Sequence, residues 1–380
     1  MSSVLEREAN EFERVSRPFA EEALVLFGAG NLGRVIRTKL QPLGTEPLAF
    51  TDNNPKLWGS TVEGIRVLSP ADAAARFGSS ATFVVSIWGV GSRDRMGSRV
   101  KQLRELGCRN VLPFASLFWK YPDLFLPHHV IDQPRKVLKD ATAVRAACML
   151  WDDEFSRREY VAQLRWRLRG DFDSMADPVP ESIYFPQDLF ALGSQEVFVD
   201  CGAFNGDTIQ AFLETTNSQF EKIFAFEPDP ANFAALKSLV ATLEPATAER
   251  IVADQKAVGA AARKVRFAGL GSDGSAIDAN GEIEVECISL DEGLLEEARP
   301  THLKMDIEGA ELDALAGSRD VIARDTPILA ICSYHRQSDL WRIPLLIHSI
   351  HPDYRMYLRP HLVEGWDVVC YAVPPERKIA

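Results

Sequence analysis

The sequence is short of basic residues, which excludes one large class of function. It contains 42 Lys and Arg against 54 Asp and Glu, and its formal net charge is −12. A chain of this charge repels phosphate backbones, so it lacks the electrostatic attraction on which nucleic-acid-binding proteins depend. We therefore predict that nucleic acid is not a partner.

Long apolar runs and regularly spaced cysteines are also missing. No stretch approaches the roughly 18 consecutive apolar residues of a membrane span, and the 6 cysteines show no metal-ligand spacing. Residues 1–22 alternate charged and apolar side chains, without the apolar core or cleavage site of a signal peptide. We predict a leading amphipathic helix over residues 1–22, no transmembrane segment and a cytoplasmic location.

The length and the pattern of apolar segments indicate more than one domain. At 380 residues the chain exceeds the size at which one core usually stops growing. Short apolar segments typical of strands alternate with segments whose pattern predicts helices, which is typical of doubly wound α/β domains. We predict a small Rossmann-like domain over residues 23–116, a helical connector over 117–184 and a second doubly wound domain over 185–380.

A glycine-rich turn follows the first predicted strand, at residues 23–27. Gly28, Gly30 and Gly33 would let the backbone approach a phosphate, and Asp52 follows the next strand where a ribose diol could be held. This pattern predicts a nucleotide or nucleotide-sugar site. The alternative is that the glycines permit tight packing of strand on helix while Asp52 caps a turn.

A second glycine-containing turn has a different chemistry. Asp200 ends a strand, Gly202 and Gly206 follow it, and Asp207 opens a helix. These acidic groups suit a cationic ligand better than a pyrophosphate. The next strand ends in Glu227, whose carboxylate could accept two hydrogen bonds from a ribose. Together the two loops predict a site for an adenosyl compound.

Several segments in fixed order carry a family resemblance. They are Val199-Asp-Cys-Gly-Ala-Phe-Asn-Gly-Asp-Thr208, Phe226-Glu-Pro-Asp229, Ile288-Ser-Leu-Asp291, Leu303-Lys-Met-Asp-Ile-Glu-Gly-Ala-Glu311 and Ser333-Tyr-His-Arg336. From Val197 to near Val373 the chain resembles the FkbM family of methyltransferases. The resemblance implies a class I methyltransferase fold with a mostly parallel seven-stranded sheet, S-adenosylmethionine as the methyl donor and a hydroxyl as the usual acceptor.

The predicted donor site collects the residues of these loops. Its members are Asp200, Gly202, Ala203, Asn205, Gly206, Asp207, Thr208, Glu227, Pro228, Gln255, Ala257 and Asp306. Gln255 and Ala257 follow the third strand, where the adenine edge would fall.

Three side chains are predicted to carry the chemistry. Asp306 and Glu308 follow one strand, and His335 follows the next, so they should meet at one edge of the sheet. An alcohol needs a base as it attacks, and an imidazole has a suitable pKa. His335 is the predicted general base, with His361 in reserve.

Each of these assignments has an alternative. Asp306 and Glu308 could cap the helix that begins near Ala310, and His335 could be a structural histidine. The two acids also suit Mg²⁺, but they form an incomplete ligand set, so no metal is predicted.

The leading hypothesis is an O-methyltransferase acting on a sugar or glycan hydroxyl. The alternatives are a natural-product, polyketide-type O-methyltransferase and a nucleotide-sugar binding protein whose methyltransferase domain is degenerate. The acceptor is a small molecule or a glycan, and the sequence leaves a homodimer open.

Overall fold

The computed structural model describes residues 23–89, 95–268, 276–277, 281, 283–294 and 298–379. The helix predicted over residues 1–22 lies outside them. The described chain divides into two compact units. The first takes its residues from 23–141, 159–177 and 362–366, and the second from 142–158, 178–361 and 367–379. The segment 117–184, predicted as one connector, is thus divided between the two units.

The first unit is built on a six-stranded sheet. Its strands are β1 (Leu24–Phe27), β2 (Ala49–Thr51), β3 (Thr61–Val62), β4 (Ile65–Leu68), β5 (Thr82–Val85) and β6 (Asn110–Pro113). The order is β3-β4-β2-β1-β5-β6, with all neighbours parallel except β3 and β4. This is the small doubly wound sheet that the sequence predicts, with β3 and β4 added to it.

Helices connect these strands and continue beyond them. They are α1 (Asn31–Leu40), α2 (Pro70–Phe77), α3 (Met96–Glu105), α4 (Phe114–Lys120), α5 (Pro122–Phe125), α6 (Pro134–Lys139), α7 (Ala141–Cys148) and α8 (Glu154–Arg169). The residues of α7 and α8 are divided between the units. Short 3-10 turns occupy Gln41–Leu43, Pro55–Leu57, Phe172–Ser174 and Val363–Gly365.

The second unit is built on a seven-stranded sheet. Its strands are β7 (Val197–Cys201), β8 (Lys222–Phe226), β9 (Ile251–Asp254), β14 (His302–Met305), β15 (Ile328–Cys332), β16 (Arg355–Pro360) and β17 (Val368–Val373). The order is β16-β17-β15-β14-β7-β8-β9, and only β17 runs antiparallel to its neighbours. The predicted mostly parallel seven-stranded sheet is confirmed.

A smaller four-stranded sheet in the same unit was not predicted. It consists of β10 (Ala257–Val258), β11 (Arg263–Ala268), β12 (Ala276–Ile277) and β13 (Ile283–Ile288), in the order β10-β13-β11-β12. The helices of the unit are α9 (Asp207–Thr215), α10 (Pro230–Val240), α11 (Pro245–Ala248), α12 (Leu290–Gly293), α13 (Glu311–Ala316), α14 (Arg319–Asp325) and α15 (Asp339–Ile350), with a 3-10 turn at Pro375–Arg377. Among the helices of the described residues, none is both long and apolar enough to cross a bilayer.

The strand order fixes where a ligand can bind. Strands β7, β14, β15 and β17 are buried at every position, because helices cover both faces of a doubly wound sheet. From β7 the chain proceeds through β8 and β9 on one side, and β14 then pairs with β7 on the other. Such a switch point opens a crevice at the carboxyl ends of its strands, here the ends of β7 and β14.

Candidate active site

The loop between β7 and α9 lies close to the end of β14. Gly202 has a φ of +81°, and a Cβ atom at this position would lie 1.9 Å from the carbonyl oxygen of Asp306. The backbone N–H groups of Gly202 and Ala203 donate to the Phe226 carbonyl over 2.9 and 3.1 Å. Gly206, with a φ of +91°, precedes the first residue of α9. Glycine is therefore required at position 202 because the loop and the end of β14 are in direct contact.

A buried ion pair between β7 and β14 stabilises the loop at Gly202. Lys304 Nζ lies 3.0 Å from Asp200 Oδ1, and both side chains are almost completely buried. Lys304 Nζ also donates to the Gly202 carbonyl over 2.5 Å. Burial raises the pKa of Asp200 to about 6, although Lys304 opposes the rise. Asp200 was predicted to face the ligand; the structure instead encloses its carboxylate inside the sheet, where it fixes the loop through Lys304.

Glu227 connects the two loops of the predicted donor site. Its Oε2 accepts a hydrogen bond from the Phe204 N–H, and its Oε1 accepts one from the Asp229 N–H, both over 2.8 Å. Burial raises the pKa of Glu227 to about 7, against the effect of these hydrogen bonds. A carboxylate has about four acceptor positions, so each oxygen of Glu227 retains one for a ligand hydroxyl.

The remaining residues of the predicted donor loop differ in exposure. Asn205 and Asp207 are exposed, whereas Ala203 and Thr208 are buried and Pro228 is half-buried. Asn205 Oδ1 accepts from the Asp207 N–H over 3.2 Å, and Asp207 Oδ1 accepts from the Thr208 N–H over 2.7 Å. These local hydrogen bonds start helix α9 beside the glycine loop.

The two residues predicted to contact the adenine also differ in exposure. Gln255 is exposed in the turn after β9. Ala257 belongs to β10, and its side chain is buried with Val265 and Phe267 in the core of the four-stranded sheet. Of the two, only Gln255 has a side chain that is open to a ligand.

A cluster of carboxylates surrounds one imidazole at the ends of β14 and β15. His335 Nε2 lies 3.3 Å from Asp306 Oδ1 and 3.4 Å from Glu308 Oε1, and its Nδ1 lies 2.8 Å from Glu311 Oε1. The Tyr184 hydroxyl donates to Asp306 Oδ2 over 2.7 Å. The three side chains predicted to carry the chemistry thus meet at one edge of the sheet.

The backbone between the two strands explains this placement. Glu308 and Gly309 both have positive φ, at +53° and +93°, so the chain turns sharply after β14. Glu311 Oε1 accepts from the N–H groups of Ile307 and Gly309 over 3.0 and 3.4 Å. Helix α13 has Ala310 before its first residue and no side-chain cap. The alternative in which Asp306 and Glu308 cap this helix therefore does not hold.

The carboxylates change the predicted role of His335. Burial disfavours a charged ring, but Glu311 and Glu308 outweigh it and raise the pKa of His335 well above its ordinary value. Burial likewise opposes ionisation of Asp306, but His335 and Lys304 hold its pKa below the usual range. The pair is therefore an imidazolium and a carboxylate at neutral pH. A general base must be unprotonated before it acts, so this environment argues against His335 as the base.

The reserve base, His361, has a different environment. Its Nε2 lies 2.7 Å from the Tyr371 hydroxyl, and burial lowers its pKa to about 4. The ring is neutral at pH 7, but its hydrogen-bond partner is a phenol and not a member of the carboxylate cluster.

The glycines of the first unit are explained by packing. A Cβ atom at Gly33 would lie 2.1 Å from the Gly28 carbonyl oxygen, and Gly28 has a φ of +124°. A Cβ atom at Gly30 would meet nothing within 4 Å. Two of the three glycines therefore serve the close approach of α1 to the end of β1.

Asp52 serves the same turn. Its Oδ2 accepts from the Ala29 N–H over 2.9 Å, and its Oδ1 accepts from the Asn54 N–H over 2.8 Å. These contacts favour the packing and turn-capping alternative over the predicted nucleotide site.

Three residues of the site were missed from the sequence. Glu311 stands within a segment that was recognised, three residues after Glu308, which is a spacing that returns to the same side of a helical turn. Lys304 lies in β14 and Asp306 directly follows it, so the period of two along an extended chain places both side chains on the same side. Tyr184 had no signal, because its partner Asp306 is 122 positions away.

The fold of the second unit and the residues at its switch point are those of one class of enzyme, and a comparison with protein-family models identifies a matching family. The second unit has the mostly parallel seven-stranded sheet of a class I methyltransferase, with a glycine loop and an acidic cluster at its switch point. Residues 200–362 match the family model of the methyltransferase FkbM domain. The chain thus contains a methyltransferase FkbM domain, as the resemblance predicted, and the family supports a methyltransferase activity.

A solved structure extends the likeness in fold. The crystal structure of methyltransferase FkbM from Methylobacillus flagellatus KT superposes with a TM-score of 0.79 at 23% sequence identity, and the match covers 96% of this chain and 93% of that one. No curated protein sequence matches the chain.

Proposed function

We propose that the protein is an S-adenosylmethionine-dependent O-methyltransferase whose acceptor is a sugar or glycan hydroxyl. One observation carries the proposal: the glycine loop at Gly202 touches the backbone of Asp306. The loop expected to hold the donor and the acidic cluster expected to receive the acceptor therefore adjoin at one point of the crevice.

The residues of the loop suit an adenosyl donor. Glu227 keeps an acceptor position on each oxygen for the two ribose hydroxyls, and the lack of a side chain at Gly202 lets the loop lie directly against Asp306. Exposed Asp207 and Gln255 flank the same loops. The negative field of the cluster favours a sulfonium over a phosphate.

The cluster suits deprotonation of a hydroxyl. Methyl transfer to an alcohol forms a carbon–oxygen bond, breaks a carbon–sulfur bond whose electron pair stays on sulfur, and releases the hydroxyl proton. Asp306 and Glu308 are in position to accept this proton. The charged His335 ring lies 3.3 Å from Asp306 Oδ1 and 3.4 Å from Glu308 Oε1, so it attracts both carboxylates and orients them toward the acceptor. His335 is thus a positioning residue, and a carboxylate takes the role of base.

The same cluster favours a carbohydrate over an apolar scaffold. A polyketide-type acceptor would need an apolar pocket, whereas the partly exposed Asp306 and Glu308 together offer several hydrogen-bond acceptors to vicinal hydroxyls. Asp367 adds negative charge, since it interacts electrostatically with both Asp306 and Glu308.

Calorimetric titration with S-adenosylmethionine and its demethylated product tests the donor site. We expect Glu227→Ala to abolish binding, and Glu284→Ala, an exposed carboxylate on β13, to leave it unchanged. Unchanged affinity in Glu227→Ala would show that the adenosyl site is misplaced.

Transfer of a labelled methyl group to a panel of sugars and nucleotide sugars tests the reaction. Asp306→Asn and His335→Ala should keep donor binding and lose turnover. Full turnover in Asp306→Asn would remove its carboxylate as the base, and methylation of apolar phenols in preference to sugars would favour the polyketide-type alternative.

A further inference from the structure

The acidic cluster has the composition of a metal-binding site. Asp306, Glu308 and His335 each offer one ligand atom, and these three atoms lie within 4.8 Å of one another. The measured separations from His335 Nε2 are 3.3 and 3.4 Å. Ligand atoms bound about 2.0–2.2 Å from a common ion stand roughly 3.0–3.5 Å apart, and the two carboxylate oxygens already lie at such separations from Nε2.

The imidazole is the observation that separates this cluster from an ordinary group of acids. Its side chain is only 5% exposed, and Nε2, like Nδ1 beside Glu311, has no hydrogen-bond partner of acceptable geometry although it lies within 3.4 Å of two carboxylate oxygens. Asp306 Oδ1 is likewise buried without a hydrogen-bond partner. Buried polar atoms are nearly always satisfied in native proteins. A cation between these atoms would satisfy both.

A second layer of contacts orients the ligands. His335 Nδ1 lies 2.8 Å from Glu311 Oε1, and the side chain of Glu311 is 1% exposed. The Tyr184 hydroxyl holds the other oxygen of Asp306 over 2.7 Å. Metal-binding histidines characteristically donate their second N–H to a carboxylate, which leaves the other nitrogen free to bind the ion.

Charge and access agree with this arrangement. Three carboxylates face one ring, so the cluster keeps an excess of negative charge, and a cation that binds displaces the Nε2 proton of the imidazolium. Lys304 is already engaged with Asp200. The side chains of Asp306 and Glu308 are 23% and 24% exposed, which leaves an entry path for an ion from solvent.

We propose that Asp306, Glu308 and His335 bind a divalent first-row transition-metal ion, with Glu311 and Tyr184 as second-layer partners. One imidazole and two carboxylates leave coordination positions open, as in catalytic rather than structural sites. The sequence predicted no metal because it supplied only two acids; the structure adds the third ligand. What the ion does rests on the proposed function: it would bind the acceptor hydroxyl and ease loss of its proton. The binding of the ion itself does not depend on the proposed function.

Binding of Mn²⁺ to the metal-stripped full-length protein tests the proposal. When Mn²⁺ is added to the protein, the electron paramagnetic resonance signal of free Mn²⁺ should stay below that of the same Mn²⁺ in buffer, and the difference should correspond to one bound ion per chain. Asp306→Asn, Glu308→Gln and His335→Gln should each weaken binding at least about tenfold, and Glu311→Gln roughly ten- to a hundredfold. Glu284→Gln, on β13, is the matched control and should bind like the wild type.

The outcomes separate this site from the methyl-donor site. Absence of Mn²⁺ binding, or wild-type affinity in His335→Gln, overturns the proposal. Thermal unfolding of each variant shows whether it is folded. If His335→Gln unfolds, the Glu308→Gln titration decides. If the protein binds Mn²⁺ but not S-adenosylmethionine, the metal site is supported and the proposed function fails. If it binds S-adenosylmethionine but not Mn²⁺, the donor site is supported and the metal site fails.

Discussion

Gly202 is the residue at which the smallest change should have the largest effect. An added Cβ would lie 1.9 Å from the Asp306 carbonyl oxygen, and the φ of +81° disfavours any L side chain. We expect Gly202→Ala to cost about 3 kcal/mol or more of the free energy of unfolding and to displace the end of β14. Urea unfolding and donor titration measure the two effects.

The matched control is the same substitution at Gly30. This residue has a φ of −80°, and a Cβ there meets nothing within 4 Å. Gly30→Ala should change stability by less than about 0.5 kcal/mol. Equal midpoints for the two alanine variants would contradict the close approach at position 202.

Glu227 should make the stability of the protein depend on pH. Burial raises its folded-state pKa to about 7 from an ordinary value of 4.5, so the folded protein holds the proton more tightly than the unfolded chain. The stability that this provides is fully present below about pH 4.5 and is lost as the pH rises through 7. It amounts to something on the order of 3 kcal/mol.

Urea unfolding of the wild type and Glu227→Gln between pH 5 and pH 8 measures this contribution. The glutamine does not titrate, so the variant should lose less stability than the wild type as the pH rises. Asp200, with a pKa near 6, remains in both proteins and contributes the same slope to each. Parallel pH profiles would refute the assignment to Glu227.

At the scale of elements, strands β7 and β14 are joined by a buried charge pair as well as by backbone hydrogen bonds. Removing one partner of such a pair leaves an uncompensated charge and typically costs about 3–5 kcal/mol. Lys304→Met should therefore destabilise the protein strongly. It should also weaken donor binding, because Lys304 donates to the Gly202 carbonyl.

A double-mutant cycle separates these contributions. Asp200→Asn combined with Lys304→Met removes both charges and should recover part of the stability lost in Lys304→Met alone. Denaturant unfolding of the four proteins gives the coupling energy. If the double variant is no more stable than Lys304→Met, the two charges do not interact as the 3.0 Å separation indicates.

Elements with a strong local signal could be predicted from the sequence. The apolar runs that form β1, β7, β8 and β14 end at the glycines and acids that follow them, and the resemblance supplied the number of strands in the second sheet. The four-stranded sheet was not predicted because β10 and β12 are only two residues long, and because the pairing of β11 with β13 joins positions that are distant in the sequence. Contacts between side chains could not be predicted for the same reason. Asp200 has a clear position in the sequence, but its burial against Lys304 depends on the register of two strands.

At the scale of the whole molecule, the charge balance leads to a prediction about partners. A net charge of −12 repels a duplex at every distance within the screening length. Fluorescence anisotropy with labelled DNA at low salt should show no binding at micromolar protein, with a basic DNA-binding protein as the positive control. Salt-dependent binding would contradict this prediction.

The position of β17 has a consequence for any attempt to isolate the family segment. Residues 200–362 include β15 and β16, but β17, which lies between them and pairs with both, begins at residue 368. A fragment cut at the limits of the match would therefore present two bare strand edges, lined by apolar side chains and unpaired backbone groups. Exposed edges of that kind recruit other chains, so the fragment should self-associate, and a fragment from Val197 to Val373, which contains β7 and β17 whole, should not.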